Sequence, residues 1–257
     1  MAREWYQRIT VYHYMIAFLT FFGILYIVQF QSYNLLPQLL LTPFIAALLE
    51  IAIVKFQGRH TFFPQSAIIS GLFAAIILES LWLAVGAAVL AILIKHILRV
   101  HGRHIFNPAA SGIIVVSIIA GLLGIVNTNP AIWWGASTFL IIPLGLFIAW
   151  KIRRLGVALP LLAVYFGLTL LGDIISGGPL SLSILYDLTP IFLALFMAVE
   201  PRTTPGTGWK GKVIFGAIVA VLMIVGFYLP ILGLTADWFL ISLLIMNIFR
   251  ETLENKL

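Results

Sequence analysis

Apolar residues run along this chain in long blocks, and most charged residues fall between them. Ten blocks stand out, at 9–29, 35–54, 62–78, 81–98, 107–125, 131–150, 156–172, 183–199, 213–232 and 236–249. A helix that crosses a bilayer needs about 20 such residues. The blocks lack the sustained apolar–polar alternation that marks a membrane β-barrel strand. The pattern therefore predicts an all-α polytopic membrane protein with about ten transmembrane helices. The third, eighth and tenth blocks are short or contain proline.

The polar stretches test that division. Placing the N-terminus in the cytoplasm puts 1–8, 55–61, 95–106, 151–155, 200–212 and 250–257 on the inner side. These stretches hold all 15 Lys and Arg residues, as the basic bias of cytoplasmic loops requires. The outer side carries Glu79, Asp173 and Asp237 instead. Both termini are thus expected on the cytoplasmic side of the inner or plasma membrane. Five spans followed by five, entering from opposite sides, is the arithmetic of an inverted repeat. The halves would be 1–125 and 131–257 of a single membrane domain.

Composition narrows the function classes. Of 257 residues, 62% are hydrophobic and 9% charged, where a soluble domain carries about 25% charged residues. A soluble enzyme and a nucleic-acid module are excluded. The net charge of +6 reads as inner-loop charge. With no cysteine, the chain offers no thiolate nucleophile, iron–sulfur ligand or cysteine–zinc site. His96, His101 and His104 have no neighbouring carboxylate in sequence and do not make a metal set. Only His13 lies well within a block, which argues against haem and suits a hydrogen bond to a neighbouring helix.

Three helix starts are abrupt, with proline in the first turn and a capping residue nearby. They are Thr61 with Pro64, Asn107-Pro108, and Asp187 and Thr189 around Pro190. Such a start inside the membrane would turn free N–H groups toward a cavity; at the interface it is ordinary. The stretch 101–112 is the most informative. Its Ala109-Ala110-Ser111-Gly112 run lets a helix or a flat ligand approach closely. Asn107 both donates and accepts, which suits a polar heterocycle, and Arg103 suits a phosphate. The other reading is a basic loop leading into a tightly packed helix.

Phe106-Asn107-Pro108-Ala109 resembles the FNPA motif of the RnfD/NqrB family. Its members are related membrane components of the Rnf electron-transport complex and of the sodium-pumping NADH:quinone reductase. Ala198-Val199-Glu200-Pro201-Arg202-Thr203-Thr204-Pro205, followed by Gly211-Lys212-Val213-Ile214-Phe215-Gly216-Ala217, is similar to a second segment of that family. Glu200 stands where the family usually has Asp, and Lys212 where it usually has Arg. Ser66-Ala67-Ile68-Ile69-Ser70-Gly71-Leu72 is a third, looser match. The order of the blocks agrees, and the resemblance covers nearly the whole chain.

The resemblance implies a five-plus-five inverted repeat similar to that of urea transporters, with flavin in the membrane. Carried over residue by residue, it implies a flavin site at Ser66, Phe106, Asn107, Pro108, Glu200, Thr203, Thr204 and Lys212, to which Arg103 is added for its own suitability to a phosphate. Family members usually carry FMN bound through phosphate to a Thr in a Ser-Gly-Ala-Thr motif. No such motif occurs here; Ser176-Gly177-Gly178-Pro179 and Gly135-Ala136-Ser137-Thr138 do not reproduce it. The expected cofactor is therefore a non-covalent flavin, either FMN or riboflavin.

Single residues add alternatives. Glu50, an acid near the inner end of a span, is a functional candidate or a partner of Lys55. Glu200 suits a ring N–H of a ligand, or an ion pair with Arg202 or Lys212. Trp133, Trp134 and Trp238 suit an outer aromatic belt, and Phe106 and Phe215 suit the flanks of a flavin ring. The expected function is a flavin-binding subunit that moves electrons across the membrane, at most a non-catalytic part of an ion-translocating oxidoreductase. Its partners would be lipid, other electron-transport membrane subunits or further copies of itself, and no nucleic acid. The alternative is a stand-alone transporter or channel for flavin or another small polar solute. A third reading, a purely structural role in assembly, has no positive sign.

Overall fold

The structure, a computed structural model, describes residues 10–59, 63–177, 186–206, 208–228 and 237–255. Each apolar block holds one helix. The first half gives α1 (Val11–Gln29), α2 (Leu36–Phe56), α3 (Gln65–Ile77), α4 (Leu81–Ile97) and α5 (Pro108–Leu122). The second gives α6 (Ile141–Lys151), α7 (Leu155–Ile175), α8 (Leu188–Phe192, continuing as a π-helical turn over Leu193–Met197), α9 (Trp209–Tyr228) and α10 (Trp238–Ile248). A further helix, α11 (Arg250–Asn255), follows. Four helical stretches are long and apolar enough to cross a membrane: Val11–Gln29, Tyr33–Phe56, Leu155–Ile175 and Trp209–Gly226. The chain is a helical membrane protein.

Two of the shorter helices, α3 and α8, are also the most buried. Every residue of α8 and its π-turn except Thr189 is buried, as is nearly all of α3 from Ala67 on. A helix that is apolar all round belongs inside a bundle. The rest wrap these two: α1, α2 and α4 pack on α3, and α6 and α7 pack on α8. In each half a long helix grips the fourth helix as well, α2 on α4 and α7 on α9. Glycine permits the closest crossings. A Cβ on Gly112 of α5 would strike the carbonyl oxygen of Ala87 on α4, and one on Gly216 of α9 would strike that of Val157 on α7.

Three sequence expectations are corrected. The sixth block is not helical from its start. Residues 131–136 instead cover the end of α3: Ile132 and Trp133 N–H groups donate to the Ile77 carbonyl at 2.8 and 3.0 Å, and Gly135 to that of Ile76 at 3.0 Å. They satisfy carbonyls that the helix end leaves without partners. Trp133 and Trp134 form no lipid-facing belt, being 7% and 3% exposed. Their indoles donate to the Asp237 carboxylate at 2.7 Å and the Leu78 carbonyl at 3.2 Å. The chain is also not free of strands. Arg99–Val100 pairs with Arg103–His104 across His101 and Gly102, both at positive φ, as a two-residue hairpin turn demands.

The basic loops converge on one end of the bundle. Arg154 donates to the carbonyls of Gly206 at 2.9 Å and Pro201 at 3.3 Å. Arg250 donates to the Arg202 carbonyl at 2.8 Å and to Glu254 at 2.7 Å. Glu254 in turn accepts from the Gly206 N–H at 3.1 Å. This clamp fixes the loop 200–206. Burial is the largest influence on Glu254 and pushes its carboxyl up, but Arg250 and the Gly206 N–H together hold it below its usual value.

Candidate functional site

The Asn107-Pro108 start is locked from three sides. The Asn107 side-chain oxygen accepts from the Ala110 N–H at 3.0 Å and so caps α5. Its amide nitrogen donates to the Met197 carbonyl at the end of α8, at 3.3 Å. Its backbone N–H donates to the Asn247 side chain of α10 at 2.8 Å, and Asn247 donates to the Thr203 carbonyl at 3.1 Å. Asn107 is 3% exposed. Most of its hydrogen-bonding capacity is therefore spent holding helix ends together, which makes it chiefly a positioning residue.

Glu200 follows α8 and faces two donors. His104 Nε2 lies 3.1 Å from one carboxylate oxygen, and the Thr203 hydroxyl donates to the other at 3.2 Å. The Thr204 hydroxyl donates to the Glu200 carbonyl at 2.7 Å. His104 Nδ1 is buried with no partner among the described residues. The tautomer that carries its N–H on Nε2 suits this arrangement, since Nδ1 then needs no acceptor. Each Glu200 oxygen keeps a second lone pair for a ligand.

Asn107 and Glu200 border the first of two adjoining spaces at the basic end. This is a narrow, mostly apolar slot of about 40 Å³, between Ser66, Phe73, Asn107, Pro108, Phe196 and Glu200. The other is a more polar chamber of about 300 Å³, bordered by Glu50, Gln65, Lys95, Arg99 and Arg202. Tyr12 and Ser66 border both. A water needs about 10–15 Å³ of such space, so the slot takes about three waters, whereas the chamber approaches the size of a small-ligand pocket. A flat heterocycle fits only where chamber and slot join.

Beyond the slot lies a wall of aromatic rings. Phe73 and Phe196 meet Phe192 at centroid distances of 5.9 and 5.2 Å. Phe192 meets Trp133 at 6.1 Å, and Phe22 meets Phe196 at 5.7 Å. Trp133 leads to Asp237, which caps α10 through the Leu240 N–H at 3.1 Å and is 4% exposed.

Of the nine residues expected at a flavin site, Ser66, Asn107, Pro108 and Glu200 border the slot. Thr203 and Thr204 are fully buried and brace Glu200 from behind. Arg103 borders a separate cleft with His104, Asn247 and Glu251. Lys212 borders another with Trp150 and Trp209, and donates to the Arg153 carbonyl at 3.2 Å. Phe106 borders neither slot nor chamber, and Phe215 is fully buried. Glu50 pairs not with Lys55 but with Lys95 at 2.8 Å and His96 at 3.0 Å. His13 bonds Gln65 of α3 at 3.0 Å, as expected of a lone membrane histidine. Of the abrupt starts, Asp187 caps α8 through the Thr189 N–H at 2.9 Å. Pro64 occupies the cap position of α3, and Thr61 lies outside the described residues.

The chamber residues Lys95, Arg99 and Arg202 were not expected as a group. One signal was present: Lys95 and Arg99 stand four apart in the basic stretch that closes the fourth block. Arg202 joins them only through the fold of the 200–206 loop. Against known proteins, the chain matches no family model and no curated sequence.

Proposed function

We propose that this chain is a flavin-binding membrane subunit of the Rnf and sodium-pumping-reductase type, which moves electrons across the bilayer with a non-covalent flavin. One observation carries the reading. Ser66, Asn107-Pro108 and Glu200 come from the three separate segments that resemble that family, and all border one slot. Glu200 supplies an acceptor for a ring N–H, Phe73 and Phe196 supply apolar faces, and Asn107 fixes the slot's shape. A bound flavin would supply the redox chemistry, and the protein its orientation and electrostatics. Redox partners are separate proteins, because the chain has no cysteine for iron–sulfur ligation.

The proposal includes ten crossings as an inverted repeat, with both termini in the cytoplasm. Matching packing in the two halves supports it. So do the two capped starts: Asn107 of α5 reaches the end of α8, while Asp237 of α10 holds Trp133, whose N–H group caps the end of α3. The test is an absorbance spectrum of detergent-purified protein before and after acid precipitation. A flavin band at about 450 nm that leaves with the supernatant supports the reading.

A transporter of flavin or another small polar solute is the second reading. The polar chamber at the basic end, adjoining the slot, favours it, as a site reached from that end in one state of alternating access. Protein that purifies colourless yet moves added riboflavin into liposomes would select it. Protein that binds no flavin sinks both flavin readings.

A further inference from the structure

Charge in the chamber is unbalanced. Lys95, Arg99 and Arg202 border it against one carboxylate, Glu50. Glu50 is already engaged by Lys95 and His96. Arg99 spends its Nε on the Lys95 carbonyl at 3.0 Å. Neither Arg99 nor Arg202 meets a carboxylate among the described residues. The basic bias of inner loops explains why cations collect at this end. It does not explain why three of them surround one recess, where their mutual repulsion is less screened than in open water. Gln65 and Ser66, the first residues of the 13-residue α3, border the same space and add the positive end of a helix. Guanidinium forks match phosphate oxygens in shape as well as charge.

We propose that this chamber is a phosphate-binding site, in which Arg99 and Arg202 grip the phosphate oxygens and Lys95 with the start of α3 completes the positive lining. The site follows from the charges alone; the molecule that bears the phosphate rests on the flavin reading. On that reading the phosphate is the monoester of FMN, anchored in the chamber while the ring lies where chamber and slot join, beside Tyr12 and Ser66. An anionic lipid headgroup offers the same chemistry from a different source.

The experiment is binding of FMN and riboflavin to the full-length, detergent-purified protein, followed by quenching of flavin fluorescence. FMN is expected to bind at least about tenfold more tightly, a difference of about 1.4 kcal/mol. The double variant Arg99→Gln/Arg202→Gln should lower FMN affinity to that of riboflavin and leave riboflavin unchanged. Equal affinities in the parent protein overturn the site, and so does a preference that survives the double substitution. If the double variant fails to insert, Arg202→Gln alone, at an exposed side chain, should still cost FMN several-fold. If neither flavin binds, the flavin reading fails separately. The site is then read by thermal unfolding with pyrophosphate and with vesicles of phosphatidic acid in phosphatidylcholine. A rise in Tm that chloride at equal ionic strength does not give, and that the variant loses, keeps the site and names its source as free anion or lipid. No rise with either overturns it.

Discussion

At the residue scale, Asn107 and Glu200 part company in what they do. Asn107 joins three helix ends, so its loss is felt first as stability. Asn107→Ala removes a cap worth about 1 kcal/mol and strips the Met197 carbonyl of a buried donor. A lower thermal midpoint is expected in detergent, with insertion intact and flavin occupancy reduced through the displaced slot. Unchanged occupancy would count against the slot as the flavin site. Glu200→Gln is nearly isosteric, and its amide oxygen still accepts from His104 or Thr203. The midpoint should move little, while flavin affinity falls roughly tenfold through loss of a charged acceptor. The prominence of both residues was legible, because a capped, proline-marked start and an acid at a span end stand out in apolar sequence. The division of labour between them was not, since it depends on Met197, His104 and Asn247, all distant in the chain.

At the element scale, close helix crossings and the terminal clamp carry the packing. Gly112→Val inserts a branched side chain where even a Cβ would strike the α4 backbone. The cost should reach about 1–3 kcal/mol, read as a lower unfolding midpoint or loss of monodisperse protein. The clamp makes a pH prediction. The Glu254 carboxyl is held below its usual 4.5 in the folded chain. Its contribution to stability is therefore present above pH 4.5 and is lost as pH falls through the lowered value. Glu254→Gln should lower the midpoint at neutral pH and converge with the parent protein in acid. A constant gap across that range would assign the effect to packing instead. The clamp left no trace in the sequence reading, because Arg154, Arg250 and Glu254 each look like ordinary inner-loop charges until the loop 200–206 brings Gly206 between them.

At the scale of the whole molecule, the helices were legible because lipid leaves a chain few options: long apolar runs, with charge only at their ends. The interior was less legible for the same reason. A run such as 131–150 is uniformly apolar whether it forms a helix or, as at 131–136, an extended cover on the end of α3. Only the partner Ile77 decides between them, and it lies more than 50 residues away in the chain. The basic end raises the remaining question of which side it faces. Every Lys and Arg lies in stretches that the ten-span reading places on the cytoplasmic side, and a single inverted pass would scatter them across both faces. The absence of cysteine makes the test clean, since single-cysteine variants have no background labelling. Arg153→Cys should react with an impermeant maleimide only in inside-out vesicles, and Asn127→Cys only in intact cells. Labelling of both from the same side would break the alternation and, with it, the five-plus-five repeat.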